Sequence, residues 1–108
     1  MEDDIKEISK WNYGNYSNSN YGSSMAIKIG KLTLYYSYNT VVAFKDAGIK
    51  EGKRFFACKN TFSKTTGKHL NWLEPDKDRR LSRKEFREKL NESLNKYNLT
   101  TKSRKVAI

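Results

Sequence analysis

An α+β fold, a mainly antiparallel sheet of four or five strands with one C-terminal amphipathic helix packed on it, follows from three observations. Residues 32–44, LTLYYSYNTVVAF, gather β-branched, aromatic and aliphatic side chains with no charge among them, the composition of a central strand pair. Shorter apolar runs, 25–29 and 54–58, flank that pair and are set off by glycines. Past the one proline, Pro75, a helix-start signal opens an apolar stripe of helical period.

Each element has its own justification. Side chains alternate along a strand, so Leu32, Leu34, Tyr36 and Tyr38 share one face, the expected core, and Thr33, Tyr35 and Ser37 share the other. Asn39 tolerates positive φ and, with Thr40, predicts a tight turn into a strand over 41–44. Gly30-Lys31 joins the strand 25–29 to the strand 32–38, giving a meander. Residues 45–53 read as a loop and 54–58 as a fourth strand. The stretch 69–73 reads as a fifth strand or an extended piece that Pro75 stops. Ser82-Arg83-Lys84-Glu85 is a capping box, and Leu81 before it can staple onto Phe86. Phe86, Leu90, Leu94 and Tyr97 then make one narrow stripe, which predicts a helix over 82–97 lying on the sheet.

The flanks differ from this centre. Residues 1–10 are charged, with Ile5 and Ile8 one helical turn apart, and read as a short helix or a frayed end. Residues 11–24, WNYGNYSNSNYGSS, carry no charge; Asn, Gly and Ser favour turns, while four large rings argue against disorder, so an ordered loop packed on the sheet is expected. Residues 100–108 read as a mobile basic tail. The whole chain of 108 residues suits one domain.

Charge is the strongest functional feature. Residues 1–49 hold five of the 22 basic and five of the 12 acidic side chains, so the entire net charge of +10 lies in 50–108. Such asymmetry favours an anionic partner, nucleic acid first, although Lys and Arg also solubilise any small domain. A single cysteine, Cys58, excludes an intrachain disulfide and fits a reducing compartment. No run of apolar residues reaches membrane-spanning length, and the acidic start is unlike a secretory signal, so a cytoplasmic setting with no membrane partner is expected.

Catalytic and metal chemistry find little support. Cys58 reads as a small core residue, since its nearest conceivable base, His69, is the chain's one histidine. Zinc wants three or four N or S ligands, more than one His and one Cys supply. No acid, base and nucleophile set is recognisable, and no cofactor is expected. The segment Thr65-Thr66-Gly67-Lys68-His69-Leu70-Asn71 reads as a glycine loop able to offer amides and a cation to a phosphate. It is not a P-loop, because Ser63 stands where the upstream glycine belongs and His69 follows the lysine.

Trp11, Asn15-Tyr16-Ser17, Asn20-Tyr21-Gly22, Leu34-Tyr35-Tyr36-Ser37-Tyr38 with Thr40 and Val42-Ala43-Phe44, and the segment from Thr65 to Asn71 together resemble a family of short proteins from phages, plasmids and other mobile elements, classed as a domain of unknown function. That resemblance implies no activity or catalytic residue. It implies that the Asn-Tyr loop, the Ser-Tyr hairpin end and the Thr-Thr-Gly-Lys-His loop belong together as one surface.

Two functions are expected from these features. In the first, Lys64, Lys68, Arg79, Arg80, Arg83 and Arg87 contact nucleic-acid phosphates, with Thr66 and His69 beside them and Tyr13, Tyr16 or Tyr21 stacking on bases. In the second, the Asn-Tyr loop, with Tyr16, Asn20 and Tyr21, binds a host protein such as a defence nuclease, because Tyr, Ser, Asn and Gly are the residues of adaptable binding loops.

Overall fold

The computed structural model describes residues 8–13, 24–60, 64–99 and 105–106. Five strands form an antiparallel meander in the order β1 (Ile8–Asn12), β2 (Ser24–Ile29), β3 (Leu32–Ser37), β4 (Thr40–Asp46) and β5 (Phe55–Ala57). Two helices follow, α1 (Lys64–Leu73) and α2 (Arg83–Lys96), joined through a 3-10 turn at Lys77–Arg79. A two-residue strand, β6 (Lys105–Val106), pairs in parallel with Thr40 and Val41; the rest of the expected basic tail lies outside the described residues. Residues 8–10 belong to a strand, not to a helix or a frayed end, and pair with Ile29, Lys28 and Ile27.

The alternation read from the sequence builds the main core. Leu32, Leu34 and Tyr36 meet Ile27, Val41, Phe44, Phe56 and Cys58 on one face of the sheet. Phe86, Leu90 and Leu94 of α2 close over them, and the Phe86 and Phe44 rings pack 5.7 Å apart. Cys58 is wholly buried there, and burial pushes its thiol up to about 11, the state of an inert core thiol.

Ser82 caps α2, its Oγ accepting from the Glu85 amide at 3.2 Å and donating to the Glu85 carboxylate. Ser82→Ala is therefore expected to lower stability by about 1 kcal/mol, read from chemical denaturation; a midpoint equal to the parent's would show that the cap contributes nothing.

The hairpin end departs from the expected face. The turn is Tyr38-Asn39, with the positive φ, 58°, at Tyr38 and not at Asn39, and Tyr38 is exposed instead of lying in the core. The register between β3 and β4 also shifts at Tyr35/Tyr36. Val42 is the extra residue, so Val42 and Ala43 both join a second core on the opposite face.

That second core exists because residues 64–73 form a helix. Neither the loop expected at Thr65–Asn71 nor the strand expected at 69–73 is present. Thr66, His69, Leu70 and Leu73 fall at i, i+3, i+4 and i+7, and the first three are buried with Leu73 packed alongside. Leu70 packs with Val42, Ala43 and Ala57. The chain then crosses β5, where Leu81 pairs in parallel with Cys58, and enters α2 on the other face. The sheet is covered on both sides.

Candidate basic groove beside the first helix

One side of α1 closes the second core through polar atoms. Ser37 Oγ lies 2.7 Å from His69 Nδ1 and 2.8 Å from Thr66 Oγ1. His69 is 1% exposed, and burial holds its pKa below the ordinary value, so the ring is neutral at pH 7. Tyr13, 2% exposed, donates its hydroxyl to the Tyr36 carbonyl at 2.7 Å. Its ring centroid is 5.8 Å from His69, 5.6 Å from Tyr35 and 5.7 Å from Trp72. The Tyr13 carbonyl accepts from Ser24 Oγ, and the Tyr13 amide donates to the Ser24 carbonyl. These bonds tie the chain after β1 to the start of β2 and satisfy groups that burial would otherwise strand.

The structure thus brings Tyr13, Ser37, Tyr38, Thr66 and His69 together, at the junction of three segments. It does so inside the protein. Tyr13 cannot stack on a base, and Thr66 and His69 cannot reach a phosphate, because all three are buried in packing and hydrogen bonds. Tyr16, Asn20 and Tyr21 lie outside the described residues.

The opposite side of α1 faces solvent and is chemically different. Lys68 and Asn71 line a groove of about 720 Å³ together with Lys59, Asn60, Lys77 and Arg80. Gly67 forms part of its wall, and Asp78 is the one acidic side chain among the lining residues. Gly67 leaves room for the Asn60 side chain: a Cβ there would lie 2.9 Å from Asn60 Nδ2, which would have to swing aside.

The basic residues expected to act together are dispersed. Arg80 is 6% exposed, and its guanidinium donates twice to the Glu74 carbonyl, at 3.0 and 2.9 Å, and once to the Asn71 amide oxygen at 2.9 Å. It satisfies a carbonyl at the C-terminal end of α1 and places a cation at the negative end of the helix dipole. Its work is structural, with its edge forming groove floor. Arg79 pairs with Asp76 at 3.5 Å, both exposed. Arg83 and Arg87 stand on the outer side of α2 and do not line the groove. Lys64 opens α1.

Lys59, Asn60 and Lys77 are the groove residues that the sequence did not single out. Their signal was weak: each is a polar residue in a connection, and only the return of the chain along β5 sets them opposite Lys68. Among the described residues, no three His, Cys, Asp or Glu side chains gather to hold a metal ion, and no helix is long and apolar enough to cross a membrane.

A model of a family described as a family of unknown function (DUF8033) matches residues 6–88. That span takes in β1 to β5, α1 and the start of α2. No curated protein and no solved structure matches the chain.

Proposed function

Since the chain belongs to this family of unknown function (DUF8033), whose description names no activity, we propose its role from the groove: a sequence-tolerant nucleic-acid-binding protein that holds the phosphate backbone beside α1. The observation that carries this reading is the groove lining, where Lys59, Lys68 and Lys77 converge from three separate segments with Arg80 beneath them and one acidic residue opposed. Three lysines are point charges suited to phosphates, while Asn60 and Asn71 add neutral donors. The concentration of the whole +10 charge in residues 50–108 supplies long-range attraction to a polyanion. A phage or other mobile element, the setting that the sequence resemblance implies, would use such a protein on its own DNA or transcripts.

Affinity for a fluorescein-labelled oligonucleotide should fall steeply between about 50 and 200 mM salt, because bound lysines displace condensed counterions. Lys68→Ala should weaken binding on all sequences alike and lower the slope of log K against log salt by about 1. An affinity that is flat with salt, or undetectable at the lower concentration, would sink the proposal. The other expected role, inhibition of a host protein, rests on the Asn-Tyr loop over 11–24, and capture of a host protein that survives nuclease treatment would favour it.

A further inference from the structure

We propose that the strand held in the groove is single, and that one of its bases lies on the exposed indole of Trp72. This inference rests on the groove reading above and adds to it the form of nucleic acid recognised.

Trp72 follows Lys68 by four residues on α1, so the two side chains stand about 40° apart on the helix, one turn from each other. Lys68 and Asn71 line the groove, which puts Trp72 at its border. The indole is 53% exposed, in a chain of two tryptophans. It does not hang free in solvent: the Tyr13 ring lies 5.7 Å away at an angle of 36°, and Tyr13 is itself pinned by its hydroxyl bond and by Tyr35 and His69. A ring held this way offers an outer π-face at little entropic cost, which is what stacking on an unpaired base requires.

Tyr38 extends the same platform. It is 54% exposed and packs 6.2 Å from His69, the ring that also borders Tyr13. Its φ of 58° is uncommon for a bulky residue, and Asn39, which tolerates that conformation, stands next to it. A turn built for stability alone would place the asparagine there; retained strain of this kind is found where a side chain is used.

A duplex keeps its bases stacked inside, so it can satisfy the lysines but not the rings. The test uses the full chain, an oligo-dT strand and a duplex of equal length at one salt concentration. The parent should bind the single strand more tightly. Trp72→Ala should weaken single-strand binding by about 10-fold or more and leave duplex binding unchanged. Tyr38→Asn, which relieves the backbone, should weaken single-strand binding alone while raising thermal stability. In a Trp11→Phe background, oligo-dT should quench the fluorescence of Trp72.

Equal affinity for the two forms, or an equal loss on both from Trp72→Ala, overturns the single-strand inference; if Lys68→Ala still lowers the salt slope, the groove reading survives. Absence of salt-sensitive binding to either form overturns both.

Discussion

Phe86→Ala is expected to lower the unfolding free energy by about 3–5 kcal/mol, the range for a fully buried phenylalanine whose cavity the surroundings cannot collapse into. Phe86 is wholly buried in the main core. Its ring packs on Phe44, which in turn stacks on Phe56 at 5.0 Å, so its loss removes a contact between α2 and β4 and uncovers the stack that joins β4 to β5. With native stability on the order of 5–15 kcal/mol, a loss of this size takes most of the margin at the lower end of that range. Urea denaturation followed by far-UV circular dichroism measures it. A loss below about 1 kcal/mol would mean that α2 does not depend on this face of the sheet.

The second large effect is expected at the other end of α2, where Asp46 is buried completely. Its carboxylate accepts from Ser93 Oγ at 2.7 Å, Tyr97 Oη at 2.5 Å and the Gly48 amide at 2.9 Å, and pairs with Lys96 Nζ at 2.8 Å. Burial alone would raise its pKa, yet the hydrogen bonds from Lys96, Tyr97, Ser93 and Gly48 outweigh it and hold the group at about 2. A depressed carboxyl pKa stabilises the folded state in full above the unfolded value, near 3.8. That contribution is lost as pH falls through about 2.

The window is therefore pH 4 to 2, and the contribution is about 2 kcal/mol, from 1.36 kcal/mol per unit. Asp46→Ala should cost more, about 3–5 kcal/mol at pH 7, because it strands the buried Ser93 hydroxyl and the other donors. It should also flatten the pH dependence between 4 and 2. Lys96 is almost half exposed but its ammonium holds a buried carboxylate, so Lys96→Met should cost about 1–3 kcal/mol, less than Asp46→Ala, and move the acid loss to higher pH. Denaturation midpoints across pH decide the matter: if the parent and Asp46→Ala lose stability in parallel below pH 4, the anchor is not what titrates. A Cβ at Gly48 would collide with the Tyr97 hydroxyl, which explains the glycine in this loop.

The sequence by itself determined the four strands β2 to β5 and α2. Alternation in 25–29 and 32–37 is a property of neighbouring residues, and so are the Ser82 cap and the Phe86, Leu90, Leu94 stripe; local signals of this kind need no partner to be read. It also placed the charge, since net charge is additive. What only the tertiary structure decided is α1 and therefore the site.

Thr65, Thr66, Gly67, His69 and Asn71 are weak helix formers, and their intrinsic preference argues for a turn. The helix forms because Val42, Ala43 and Ala57 present an apolar second face that must be covered. The one sequence trace of that demand was the unbroken apolar run 41–44, which lacks the polar alternation of a strand with a wet side. Once α1 forms, a buried serine makes Thr66 and His69 inward-facing residues, and the same rotation sends Lys68, Asn71 and Trp72 outward. The face on which each residue lies, and hence whether it can touch a partner, was set by a helix that the sheet's uncovered side imposed on a segment with little helical preference of its own.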